Sequence, residues 1–175
     1  MSRPERFEHP TDRFAEATIS FYCFLIFNQV THPSSSLISS QGPRGIIKSD
    51  HEDANVSVLL QEHDPALRGT FQTAVNYETG AWSEEVAVGD LNNDGKPDLA
   101  VLNESSVSVL LQSATPGVYL PRYNLDAPPT VGMAIADLNA DGLNDLAVAG
   151  IAYARVYFQD PAAPGSFQPG VIVSP

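Results

Sequence analysis

DLNNDGKPDLAV, residues 90–101, and its echo DLNADGLNDLAV, residues 137–148, decide how this sequence is read. Each carries Asp, Asn, Asp and Asp at positions 1, 3, 5 and 9 of a loop, with Gly at position 6. These are Asp90, Asn92, Asp94 and Asp98 with Gly95, then Asp137, Asn139, Asp141 and Asp145 with Gly142. Oxygens at alternate positions of a tight loop can converge on one centre, which suits a hard cation taking about six to eight oxygen ligands, calcium above all. Position 7 is Lys96 in one copy and Leu143 in the other, so the ligand expected there is the backbone carbonyl, which any residue supplies. The glycine allows the sharp reversal, because it takes positive φ without a Cβ clash. Three crowded carboxylates repel until a divalent ion arrives, so binding is expected to order the loop.

Asn-Asp-Gly is also ordinary hairpin-turn chemistry. A turn, however, needs two such residues, not four oxygen donors repeated in full. An EF-hand needs a bidentate Glu at position 12 and a helix on either side; position 12 is Val101 or Val148. The flanks are strands. In VAVGD (86–90) and MAIAD (133–137), large Val86, Val88, Met133 and Ile135 alternate with small Ala87, Gly89, Ala134 and Ala136, the period of a strand. DLAV, after each loop, is apolar on both faces, as a buried strand would be.

The rest of the chain from residue 46 repeats. VSVLLQ occurs at 56–61 and 107–112, with ARVYFQ at 154–159 as a third version. Gly69, Gly117 and Gly165 each stand two residues before Phe71, Tyr119 or Phe167. Markers that share a period of about 47–51 residues define a repeat architecture. Strands are expected near 84–90, 98–102, 107–112 and 118–124, then near 131–137, 145–150, 154–159 and 167–173, with the acidic loop joining the first two of each set. Four antiparallel strands in a unit of this length make one propeller blade. The first unit is damaged: no Asp occurs between residues 13 and 49, so its loop is missing, and Ile46 and Ile47 are read as the remains of its second strand. Asp50, His51, Glu52 and Asp53 fall where the other units have a solvated turn (Asn103 to Ser106), and read as a charged surface turn.

The expected fold is therefore all-β: a partial β-propeller of about two and a half four-stranded blades, preceded by an irregular leader. The leader is residues 1–45, a degenerate blade covers 46–80, and intact blades cover 81–127 and 128–175. Within the leader, the apolar run ISFYCFLIF (19–27) is far short of the roughly 20 residues that span a bilayer. It resembles the core of a signal segment, and SSSLISS (34–40) could hold a cleavage site, but the preceding stretch is not basic. The only cysteine, Cys23, excludes an internal disulfide. Net charge is −12; two bound calcium ions would reduce it to about −8. Such a surface repels phosphate backbones, so nucleic acid is excluded as a partner.

The order strand, DxNxDGxxDLAV, VSVLLQ, Gly-x-aromatic resembles the FG-GAP or VCBS-type repeat of integrin alpha-chain propellers and many bacterial surface proteins. The resemblance covers residues 46–175, although the Phe-Gly and Gly-Ala-Pro signatures that name the family are not intact. It implies a calcium-stabilised propeller at the cell surface or outside the cell, serving adhesion or recognition of a protein or glycan, and it assigns metal ligation to the two Asp/Asn sets. Known propellers close with about four to eight blades. The array is thus expected to be a fragment of a longer propeller, or to complete its ring by self-association.

No catalytic constellation is evident. There is no GxSxG elbow, and His9, His32, His51 and His63 all lie outside the two intact blades. Adjacent Glu84 and Glu85 should point to opposite strand faces. The expectation is a non-enzyme, with a non-catalytic part of a larger enzyme as a lesser reading. The alternative from another class is a propeller lectin using Trp82, Tyr119, Tyr123, Tyr153 or Tyr157 as sugar platforms, although these aromatics are expected mostly to pack between sheets. Asn55 and Asn103 head Asn-x-Ser sequons, which matter only in a glycosylating host.

Overall fold

The computed structural model describes residues 35–38, 45–50, 53–62, 64–67 and 69–174. The calls on the signal-like run, Cys23, the four histidines and Glu52 lie outside these residues. Twelve strands form three four-stranded antiparallel sheets, each a meander in chain order. The first sheet holds β1 (Ser35–Ile38), β2 (Gly45–Asp50), β3 (Asn55–Leu60) and β4 (Val75–Glu78). The second holds β5 (Glu85–Gly89), β6 (Asp98–Leu102), β7 (Ser106–Leu110) and β8 (Tyr123–Asp126). The third holds β9 (Thr130–Ala136), β10 (Asp145–Gly150), β11 (Ala154–Tyr157) and β12 (Val171–Val173). There is no α-helix among the described residues, and one 3-10 turn at Pro65–Leu67.

Alternation along the strands places the core in two layers between the sheets. From β6, Leu99 and Val101 join Ile47, Val56 and Val58 of the first sheet. Ala100 and Leu102 instead join Leu146, Val148 and Tyr157 of the third. Covered on both faces, β6 is buried at every residue, which is why DLAV reads as a continuous apolar run. The large-small alternation before each loop is packing as well: a Cβ on Gly89 would stand 3.0 Å from Ile135 of the third sheet.

Each sheet also interlocks with the next through the Gly-x-aromatic marker. Gly117, at φ +74, lies against Leu60 of the first sheet, and Gly165, at φ +83, against Leu111 of the second; a Cβ at either would stand 2.5 or 2.7 Å from the leucine Cδ1. The hydroxyls of Tyr77 and Tyr123, one sheet back, donate to the carbonyls of the same two glycines, at 3.0 and 2.5 Å. Between the second and third sheets, Glu85 Oε2 also accepts the Met133 amide.

Three expectations are corrected. The first sheet is complete in strands: β1 lies inside the stretch read as leader and pairs Ser35–Ile38 with Gly45–Lys48, so there are three four-stranded sheets, not about two and a half. The fourth strands start late, at Tyr123 and Val171. Before them only isolated bridges form, at Gln112–Tyr119 and Gln159–Phe167, because Pro121 and Pro169 cannot donate to a ladder. The turn after β6 is not wholly solvated: Asn103 is 1% exposed, accepts from Ser83 Oγ, and donates its amide to the Val101 carbonyl and Ser108 Oγ. That burial keeps its sequon out of reach in the folded chain.

Gly117→Ala is expected to lower stability by roughly 2–4 kcal/mol in urea unfolding, since left-handed strain and overpacking add. Combining it with Leu60→Ala should recover part of the summed loss; strict additivity would show that the two side chains do not meet.

Candidate metal loops

The two acidic loops fold alike. In the first, Asp90 Oδ1 accepts the amide of Asp94 at 3.1 Å and Asp90 Oδ2 that of Gly95 at 2.8 Å. In the second, Asp137 accepts the amides of Asp141 and Gly142 at 3.2 and 2.9 Å. Asn92 and Asn139 each accept the amide two residues on and donate to the Asp94 or Asp141 carboxylate. The loop thus winds around the carboxylate of position 1. The winding needs positive φ at Asn93 and Gly95 (58° and 79°), and at Ala140 and Gly142 (62° and 86°). Among the described residues, a Cβ on either glycine would meet no atom within 4 Å, so their requirement is conformational, not steric crowding.

Position 9 ties the loop to its sheet. Asp98, fully buried, accepts the Leu91 amide on one oxygen at 2.8 Å and the Gln112 amide on the other at 2.7 Å. Asp145 does the same with Leu138 and Gln159, both at 2.9 Å. The glutamine side chains close the arrangement by donating to the Pro97 and Asn144 carbonyls. These glutamines were missed as part of the site. Their signal was present: a glutamine ends all three copies of the marker, as Gln61, Gln112 and Gln159.

Burial pushes the Asp98 carboxyl up to about 6; its two backbone amide donors oppose the rise, and the charges of Asp94 and Asp90 add to it. Asp98 therefore senses both of the other carboxylates. Asp94 is shifted downward: desolvation alone would raise its pKa, but hydrogen bonds from Lys96 and Asn92 outweigh it. Lys96 Nζ lies 2.7 Å from Asp94 Oδ2, whereas Leu143 gives the second loop no such cation. The loops also touch across the sheets, for Asn144 Nδ2 donates to the Asp90 carbonyl at 2.8 Å.

Among the described residues, no three His, Cys, Asp or Glu side chains form a ready-made metal cluster; the carboxylates are turned onto backbone amides. The donor set nonetheless fits calcium. An ionised carboxylate offers about four acceptor positions, more than the amides occupy, and every donor is a hard oxygen. The remaining candidates fall elsewhere. Asp53 is an exposed turn residue. Glu84 is exposed and Glu85 half-buried. Tyr119 and Tyr157 are buried between sheets, and burial pushes the Tyr119 hydroxyl up to about 12. Tyr123 is half-buried with its hydroxyl on Gly165, and Tyr153 lies under the Arg155 guanidinium at 5.9 Å. Trp82, expected to pack between sheets, is 51% exposed, at φ +59.

The fold and loops define an all-β repeat protein with an acidic hairpin at the head of each full repeat. A family model for the FG-GAP-like repeat matches residues 46–101 and again 90–148, and the chain belongs to that family. Each match ends within the second strand of the following sheet, so the sequence repeat is out of phase with the sheets, and β1 falls outside it. No curated protein and no solved structure matches the chain.

Asp98→Asn is expected to cost about 1–3 kcal/mol even in chelator, because its amide would face a backbone N–H. Asp94→Ala should cost under about 1 kcal/mol in chelator, since it loses mainly an exposed ion pair. Equal losses in chelator-treated thermal or urea unfolding would contradict this division of roles.

Proposed function

We propose that this FG-GAP repeat module is a run of calcium-stabilised β-propeller blades, with a structural and recognition role in a surface or secreted protein and no catalysis of its own. The observation that carries this reading is the congruence of the two loops: the same four oxygen-bearing side chains wind the same backbone in both, with glycine at the same left-handed position. Asp90, Asn92, Asp94 and Asp98, with the Lys96 carbonyl, would hold one ion. Asp137, Asn139, Asp141 and Asp145, with the Leu143 carbonyl, would hold the other. A bound ion would neutralise the carboxylates that crowd Asp98 and so strengthen the loop on which β5 and β6 turn. None of the described helical turns is long enough to cross a membrane, and the family resemblance favours an extracellular or cell-surface site.

A second reading, glycan binding, is favoured by one feature. An open cleft of about 570 Å³ between the first and second sheets is lined by Asn76, Tyr77, Glu78, Tyr119 and Arg122 among others, a mixture of aromatic and hydrogen-bonding groups. Retention on a glycan column that survives loss of both acidic loops would support it over the calcium-dependent reading.

Calcium is expected to raise the thermal midpoint, by the equivalent of about 2.7 kcal/mol when the free ion stands a hundredfold above its Kd. Asp94→Ala and Asp141→Ala should each remove part of the rise; identical melting in calcium and chelator would refute the assignment. Because a proton holds Asp98 below a pH of about 6, the metal must displace it there, and affinity at the first loop should fall as the pH drops through that value. Calorimetric titration on either side of it, with Asp141→Ala silencing the second loop, checks the sign; a constant affinity would be the contrary result.

A further inference from the structure

The joint between successive sheets is used twice, and each end of the array carries one unfilled half of it. On the outgoing side of a sheet, the fifth marker residue projects onto the next sheet's glycine: Leu60 onto Gly117, and Leu111 onto Gly165. The third sheet presents Phe158 at that place. Its outgoing face is apolar and uncovered among the described residues. Ala149 is exposed where its counterpart Leu102 is 1% exposed, and Val171 and Val173 are 50% and 51% exposed. On the incoming side of the first sheet, Gly69 has the same left-handed conformation as Gly117 and Gly165, at φ +86, but among the described residues no atom lies within 4 Å of its Cβ position. Phe71 beside it is 41% exposed, whereas its counterpart Tyr119 is 5% exposed.

We propose that two copies of this chain dock head to tail, the third sheet of each against the first sheet of the other, with Phe158 seated on Gly69. The occupant follows from continuity: the incoming face that fits an outgoing face in this array is that of the next sheet, and the first sheet is the only described one whose incoming face is unfilled. Its side chains suit the place. Lys48 stands where Val101 and Val148 stand in the other sheets, and the outgoing face opposite is trimmed to Ala149 and Ala154, where the second sheet has Leu102 and Val107. A head-to-tail contact closes into a ring when its rotation permits, and two copies supply six sheets, inside the range of about four to eight at which propellers close. The net charge of −12 on each copy opposes docking, so association should strengthen with salt. The proposal rests on the propeller architecture proposed above but not on calcium, so masses are compared in both calcium and chelator.

The test is light scattering on the full chain at tens of micromolar. The expected mass is twice the 18.8 kDa of one chain. Val173→Asp on the outgoing face and Phe71→Asp on the incoming face should each give the single-chain mass, and an equimolar mixture should regain a two-chain species, since one intact joint remains between them. Val171→Lys and Leu59→Lys serve the same ends if either first variant fails to fold by circular dichroism. A wild-type mass of one chain overturns the proposal. So does a dimer that survives the incoming-face variants, which would be back-to-back, or a mass that grows without limit, which would be an open filament. Loss of a calcium response with the dimer intact would refute the metal reading alone.

Discussion

Leu60 can lie on residue 117, and Leu111 on residue 165, only because neither position carries a Cβ. This close approach is the constraint on which the stacking depends. A four-stranded sheet of this size buries little by itself, and its stability comes from covering its faces with neighbours. The glycine sets how near the neighbour comes, and the tyrosine hydroxyl from the previous sheet fixes the glycine carbonyl. Once the sheets are at that distance, alternate residues of β6 can fill both interlayers, and each fully buried Leu or Val contributes about 1.5–3 kcal/mol. The second sheet is the best buried of the described sheets for this reason, with both its faces covered.

The acidic loops build on the same stacking. Asp98 and Asp145 are held by amides of the glutamines two residues beyond β7 and β11, so position 9 is fixed by the chain leaving the third strand as well as by the loop. The Asp98 carboxylate is buried, and burial raises its affinity for protons. Two amide donors then offset part of the desolvation cost. The Asn144 bond to the Asp90 carbonyl joins the two loops across the interlayer. Ordering of one loop is thereby connected to the position of the next sheet, not confined to its own hairpin.

Much of this was legible in the sequence because the signals were periodic. Val86, Val88, Met133 and Ile135 announced strands by period two, DLAV announced buried ones by its continuous apolar run, and the twin loops announced their shared winding by residue type alone. What was not legible depended on pairing and on tertiary context. SSLI of β1 lies outside the repeat, and only its antiparallel register with β2 makes it a strand. Asn103 looked like turn chemistry, yet Ser83 and Ser108 close around it and allow it to be buried. Trp82 looked like core and is exposed at a left-handed position. Gln112 and Gln159 were visible as repeat markers, but their hold on the loops appears only when the third strand is laid beside the second.

Identical winding does not make the two loops electrostatically equal. The first carries its own cation: Lys96 reaches Asp94 and, with Asn92, holds its carboxyl below the ordinary range. The second has Leu143 at that position, and Asp141 there accepts from the Asn139 side-chain amide and the Leu143 backbone amide, both uncharged. An exposed ion pair is worth about 0–1 kcal/mol, too little to replace a divalent ion but enough to relieve some of the repulsion among Asp90, Asp94 and Asp98. A divalent cation, if bound as proposed, would compete with that ammonium at the first loop and meet no such competitor at the second. The second loop also lies on the sheet with one face uncovered among the described residues, where less packing energy is available to hold crowded carboxylates together. Repulsion is therefore least compensated where the scaffold is weakest, so charge neutralisation has the most to contribute to order at the third sheet.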